Sequence, residues 1–223
     1  MLYELSVPYY PGMPRYDETI PDVEFLPRTR TPGDVNNTTT VRLFMHAGSH
    51  VDAPFHFDGH GCTIEQIPIE RFFYRKAMVV KIPCQRSDRV TVEQLREAPG
   101  LAEADLLLLY TGYSRYVSNE RIYADDFPAL DLSAARYLRR ECPSLQAVAI
   151  DTLSIEGADG CDHGFAVHHE LLDEEGRAER SLLVFENMNF EAVANTPGFF
   201  QVYAFPLRFP GLDASPVNMV AKI

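Results

Sequence analysis

The segment "HAGSHVDAPFHFDGHG", residues 46–61, holds four of the chain's seven histidines and two aspartates. His46, Gly48, His50, Asp52, Pro54 and His56 share one parity. On an extended chain, residues two apart project to the same face, so His50 and Asp52 reach a common point. Full extension from His46 to Asp52 spans roughly 20 Å at ~3.3 Å per residue, too far for one ligand sphere. A bend is required, and Gly48 is the residue that permits it. A helix is the other way to bring His46 near His50, but Gly48, Val51 and Pro54 argue against one.

Two imidazoles and a carboxylate suit Zn²⁺, Mn²⁺ or Fe²⁺. Three protein ligands leave positions open for water and substrate, which is the catalytic rather than the structural pattern. His56, on the same face beyond Pro54, is left as a proton carrier. Asp58 and His60 continue the parity, but they fall in "FDGHG", a turn where exposed polar residues are expected.

The remainder of the chain sets bounds. Its 223 residues make one large domain or two small ones, and 46% hydrophobic with 23% charged residues is ordinary for a globular protein. A net charge of −12 repels polyanions, so nucleic acid and anionic membrane surfaces are excluded as partners. The opening "MLYELSVPYYPGMPRYD" has no basic region ahead of an apolar run, so no signal peptide is expected, and no stretch reaches membrane-span length. Cys62, Cys84, Cys142 and Cys161 are scattered without a C-x-x-C pair, which suits reduced thiols in a cytoplasm.

Pro-rich segments such as "PYYPGMP" and "LPRTRTPGD" mark the first third as strands and irregular loops. Apolar runs at 77–82, 105–112, 145–152, 181–187, 199–207 and 216–223 predict buried strands. "TVEQLREA" opens with Thr91 and has Gln94 three residues on, a capping box, and "DLSAARYLRRE" (131–141) has helical spacing with basic residues in its last turn. Helices between strands in the middle and strand-rich ends predict a mixed-sheet α/β or α+β protein.

A second constellation lies downstream. "DHGFAVHHELL" (162–172) offers His163, His168 and His169 ahead of an amphipathic helix. "LLVFENMNF" (182–190) puts Glu186 at the end of an apolar strand, where an ionised carboxylate needs a cation or a proton. Together these segments read as the far wall of one site.

At this point "HAGSHVDAPFHF" resembles the H-x-G-[TS]-H-x-D-x-P-x-H-F signature of the cyclase-like metal hydrolases, a family that includes bacterial-type kynurenine formamidases (arylformamidases) and isatin hydrolases. The opening "LYELSVPYYPGMPRYD", the central "AIDTLSIEG" and "AVHHELL", the strand "FENMNF" and the end "GLDASPVNMVAKI" resemble the family's other blocks in order, across nearly the whole chain. The resemblance implies one compact domain over residues 1–223, an α/β fold of the swivelling β/β/α type with a barrel-like mixed sheet and flanking helices. It also implies a homodimer or larger assembly such as a tetramer, acting on a small-molecule substrate. Carried over by motif, His46, His50 and Asp52 bind the first metal and His56 is the catalytic acid/base. His168 and Glu186 bind or bridge a second ion, or orient water or substrate where there is one. Zn²⁺, one or two ions, or Mn²⁺ is the cofactor implied.

The sequence departs from the family in places. Ser49 replaces the commoner Thr, "LDEEGRAERS" lengthens the connection between His168 and Glu186, and Asn218 stands where an Arg is common. The chain has no Trp, and Tyr9, Tyr10, Phe44 or Phe57 is expected to supply the aromatic wall instead. The chemistry expected is hydrolysis of an amide or cyclic amide, such as a formyl arylamine or a lactam, by water that a divalent ion acidifies toward a pKa of ~7. His56 protonates the leaving nitrogen, and Glu186 takes the water's proton if it is not a ligand. The substrate-contacting residues stay unassigned at this stage. Two rivals remain open: a non-haem iron oxygenase using His50, Asp52 and His168, and a non-catalytic member that binds metal or a small ligand.

Overall fold

Alternation decides how the apolar runs pack. In the run over Leu106–Tyr110, Leu106 and Leu108 join one buried cluster with Ala149, Phe185, Val202 and Met219. Leu107 and Leu109 join a second, with Leu95, Ala134, Leu138 and Leu171. Strands covered on both faces read as unbroken apolar runs, which is why "LLLL" carries no polar position. Each fully buried leucine of this kind contributes about 1.5–3 kcal/mol.

The structure is a computed structural model that describes residues 1–174 and 180–223. Among these, the strands are β1 (Leu2–Glu4), β2 (Glu24–Thr29), β3 (Thr38–Arg42), β4 (His50–Asp52), β5 (Phe73–Lys81), β6 (Arg89–Val90), β7 (Leu106–Tyr110), β8 (Ala129–Leu130), β9 (Ala147–Ile150), β10 (Leu183–Glu186), β11 (Phe200–Pro206) and β12 (Ala214–Lys222). The α-helices are α1 (Val92–Arg96), α2 (Glu120–Tyr123), α3 (Leu132–Glu141) and α4 (Ala166–Leu172). All six predicted runs contain or overlap a strand of the main sheet. Thr91 and Gln94 form the expected capping box on α1, and Asp131 caps α3 by accepting from Ser133 N at 2.7 Å.

The main sheet runs β1-β12-β11-β5-β7-β9-β10-β4, and β4 pairs back onto β12. Seven strands thereby close into a barrel-like ring with β1 attached to β12. The steps β5–β7, β7–β9 and β9–β10 are parallel and the others antiparallel. Parallel neighbours need crossovers, and these carry the helices on the outside of the ring. The fold is thus the mixed α/β barrel-like type with flanking helices. "LPRTRTPGD" contributes to the β2–β3 hairpin, whose residues are exposed or half-buried outside the ring. Among the described residues, no helix is long and apolar enough to cross a membrane.

Two expectations are corrected. His168 and His169 do not precede the amphipathic helix but lie within α4, whose first amides, Val167 N and His168 N, donate to Glu156 Oε2 ten residues upstream of the helix. Asp58 is not an exposed turn residue: it is buried, accepting from His60 N at 2.9 Å and from Glu174 N at 3.0 Å, which ties the turn to the chain beyond α4. Half of the long connection read in "LDEEGRAERS" (172–181), residues 175–179, lies outside the described residues.

Candidate active site

Strand β4 is three residues long, yet it places most of the site. In its antiparallel pairing with β10, Glu186 stands opposite His50 and Val184 opposite Asp52. Val51 and Phe185 turn into the barrel interior. By alternation His50, Asp52 and Glu186 emerge together on the other face. Just upstream, Gly48 takes φ +60°, and a Cβ there would sit 2.8 Å from Tyr9 Cε1. This turn supplies the bend, bringing His46 Nδ1 to 2.9 Å from Asp52 Oδ1. Ser49 holds it in place: its fully buried hydroxyl donates to Asn187 O at 2.5 Å and accepts from Val7 N at 2.7 Å.

The tautomer of His50 follows from its partner. His50 Nδ1 lies 2.8 Å from Gly48 O, and a carbonyl only accepts, so Nδ1 carries the proton. Nε2 is then turned to Asp52 Oδ1 at 3.4 Å and Glu186 Oε2 at 3.3 Å. His168 Nδ1 lies 3.4 Å from Glu156 Oε2, while its Nε2 lies 3.2 Å from Glu186 Oε1 and 3.9 Å from Asp52 Oδ2. Glu186 is divided between two tasks. Its Oε1 accepts from Ile155 N at 2.7 Å and from Ser154 Oγ at 2.9 Å, and Oε2 faces His50. His46 Nε2 is 2.7 Å and His56 Nδ1 3.4 Å from one oxygen of Asp213.

Burial opposes charge on these groups, and their mutual attraction overcomes it. His50 and His168 are pushed up to about 10: desolvation works against the rise, and the neighbouring carboxylates, Asp52 and Glu186 for His50 and Glu156, Glu186 and Asp52 for His168, more than offset it. Glu186 is held down at about 2 and Asp52 well below the usual carboxylate range by the facing imidazoles, again against their own burial.

Do these residues fit a metal ion? His50 Nε2 and both Asp52 oxygens are buried without a directed hydrogen bond, a costly state for polar atoms. The close approach of His46 Nδ1 to Asp52 is an ion-pair contact that lacks hydrogen-bond direction. Ligand bonds of ~2.1 Å at tetrahedral angles put donor atoms about 3.4 Å apart. The contacts of His50 with Asp52 and Glu186, at 3.4 and 3.3 Å, and of His168 with Glu186, at 3.2 Å, fall close to that spacing. Among the described residues, donor atoms cluster as two groups sharing Asp52, one with His46 and His56, the other with His50 and Glu186. An imidazole and carboxylate set of this kind fits a divalent transition ion.

The cluster opens into a cavity of about 370 Å³ lined by His46, His56, His168 and Glu186 with Tyr16, Phe44, Phe57, Phe165, Ile20 and Leu153 among others. Of the aromatics expected at this wall, Phe44 and Phe57 are present. Tyr9 packs beneath Gly48 and Tyr10 bonds toward Val117 O. A larger cleft of about 640 Å³, between β5 and Phe199, contains none of the clustered residues. His163 pairs with Asp159 and His169 with Asp173, both away from the cluster, and Asn218 is exposed on β12. Sequence reasoning passed over Asp213, Glu156, Ser154, Tyr16 and Phe165. The only sequence signal for Asp213 and Glu156 is an acid beside a strand or short apolar block, which is commonplace.

Comparison with known proteins agrees with this architecture. The kynurenine formamidase of Paracidovorax citrulli is 28% identical over 229 residues, covering 100% of this chain and 96% of that protein. The kynurenine formamidase of Bacillus cytotoxicus is 26% identical over 186 residues, covering 83% of this chain and 80% of that protein. The crystal structure of an isatin hydrolase bound to the product analogue thioisatinate superposes with a TM-score of 0.83 at 15% identity, covering 100% of this chain and 92% of that one, a likeness of fold. The family described as "Putative cyclase" matches residues 3–157, more than half of the 223, and the chain belongs to this Cyclase family.

Proposed function

We propose that the protein is a metal-dependent hydrolase that cleaves the C–N bond of an amide or cyclic amide, with an aryl formamide or a lactam as substrate. The reading includes one or two Zn²⁺ or Mn²⁺ ions per chain, a homo-oligomer, and a cytoplasmic setting. The observation that carries it is the buried His50 Nε2, fixed in tautomer and facing Asp52 and Glu186 without a directed hydrogen bond. His46, His50 and Asp52 would hold the ion, with His168 and Glu186 completing the set. Bound there, a divalent ion acidifies water and polarises the amide carbonyl. The relatives named kynurenine formamidase support a formamide substrate.

The chain's own groups divide the proton work. His56 is a quarter exposed at the cavity wall, with Nδ1 toward Asp213, and its free edge delivers a proton to the leaving nitrogen. Where Glu186 is not a ligand, its Oε2 is the oxygen that accepts a proton from water, because Oε1 is occupied by Ile155 N and Ser154 Oγ. The acyl carbon gains the hydroxyl and the nitrogen gains the hydrogen, so the C–N bond breaks with atoms balanced.

Elemental analysis of gently purified protein is expected to find at least one equivalent of zinc or manganese per chain. Less than about a tenth of an equivalent, with no reconstitution by added ion, would sink the reading. A screen of formylkynurenine, formanilide and isatin with loaded protein follows. A filled site without turnover points to a binding protein, and strict O₂ dependence points to an oxygenase. His56→Ala is expected to keep its metal while kcat falls by roughly 10²–10⁴. Loss of the ion in that variant would make His56 a ligand instead.

A further inference from the structure

We infer that Asp213 is a positioning residue for two histidines at once: one of its oxygens holds the metal-facing ring of His46 and the proton-carrying ring of His56. The inference rests on the metal-dependent hydrolase reading and adds a residue to it. His50 is oriented by its own turn, through Gly48 O at 2.8 Å from Nδ1. His46 is oriented from far along the chain instead. Among the described residues, its one directed side-chain hydrogen bond joins Nε2 to Asp213 Oδ2 at 2.7 Å. An ionised carboxylate only accepts, so Nε2 carries a proton. Nδ1, which faces Asp52 at 2.9 Å, is then the nitrogen left for an ion.

The same oxygen of Asp213 lies 3.4 Å from His56 Nδ1. The two imidazoles lie against each other, 4.0 Å between centroids and 30° between planes. Asp213 Oδ2 therefore bridges the edges of a packed pair, one ring serving the ion and the other the leaving group. With Nδ1 of His56 turned to Asp213, its Nε2 is the nitrogen left to deliver a proton.

The closure of the ring is what puts this carboxylate in place. Asp213 O accepts from Ala53 N at 2.9 Å, and the next residue, Ala214, stands opposite Asp52 in the β12–β4 pairing. Both contacts use the backbone, so a change of side chain leaves them intact. The Asp213 side chain is 37% exposed, which limits the packing that a substitution removes. It also lies outside the lining of the substrate cavity. Its influence on turnover must therefore pass through the two histidines.

The test uses Asp213→Asn, which keeps the shape and one acceptor but removes the charge. Competition with a chelator is expected to show Zn²⁺ held about 10- to 100-fold more loosely, the usual cost of losing the partner behind a ligand histidine. At saturating metal, kcat on formanilide is expected to fall about tenfold or more, with KM within about threefold. In a His56→Ala background the same substitution should change kcat by less than about threefold, because its route is already gone. An undiminished effect there overturns the link to His56. A lower urea midpoint with metal affinity and kcat both within about threefold would make Asp213 merely structural and overturn the whole inference. The unsubstituted protein gives a check independent of folding defects. With Zn²⁺ bound, nitrogen NMR is expected to find the His46 proton on Nε2, and a proton on Nδ1 with the metal on Nε2 overturns the link to His46. If loaded protein hydrolyses no formamide or lactam, the hydrolase reading falls, while the affinity and NMR results still decide whether Asp213 holds His46.

Discussion

A His50→Ala protein is expected to purify without its full metal complement and to hydrolyse no substrate above background. His50 is the side chain that faces Asp52 and Glu186 at once, at 3.4 and 3.3 Å, from a fully buried position. Removing it leaves two carboxylates confronting each other with one fewer nitrogen to share an ion. In metal-free protein the same change strands a buried charge, which costs about 3–5 kcal/mol where one partner of a buried pair is deleted. The variant should therefore show a lower urea midpoint as well as reduced metal content. The two readouts separate a ligand from a packing residue. Full metal occupancy with ordinary turnover in a folded His50→Ala protein would remove His50 from the site.

Glu186→Gln is expected to fold and to lose turnover by about 10³-fold or more. The amide oxygen can still accept from Ile155 N and Ser154 Oγ, so the strand end and the loop after β9 keep their tie. The lost oxygen is Oε2, the one turned to His50. Without it the site loses both a negative charge and its proton acceptor, and a positioned acid or base alone is worth ~10²–10⁴. Metal analysis of the same protein assigns the role. A drop of one whole equivalent identifies Glu186 as a ligand to a second ion, and an unchanged count places it on the water. Normal turnover with normal metal content would exclude Glu186, and His168 with it.

The half of the site between residues 46 and 56 was legible because its information is local. Parity on a strand and a glycine at the bend are properties of neighbours, and the structure brings His46, His50 and Asp52 together through the Gly48 turn. Glu186 was legible for a different reason, since a carboxylate ending an apolar strand demands a partner. The start of α4 was not legible. Helices usually announce themselves with Ser, Thr, Asp or Asn at the N-cap, and here the N-cap is Phe165 at positive φ. The acceptor for the first amides is Glu156 Oε2, which takes Val167 N at 2.9 Å and His168 N at 3.2 Å from ten residues upstream of the helix. Asp213 was hidden by distance alone: nothing near it in sequence hints that closure will set it beside His46 and His56.

The strand that carries the centre also shuts the ring. β4 joins β12 through Asp52 opposite Ala214 and His50 opposite Pro216, residues more than 160 positions apart along the chain. Bringing such distant segments together carries a large loop-closure entropy, and non-local pairings of this kind form slowly. The hypothesis that follows concerns the order of assembly. On refolding, the parallel strands β5, β7, β9 and β10 with their helices can form from nearer contacts, and the seam comes last. Secondary structure measured by circular dichroism should then recover ahead of metal uptake and turnover. Identical rates for all three signals would contradict this order. Until the seam closes, the chain has most of its fold and none of its chemistry.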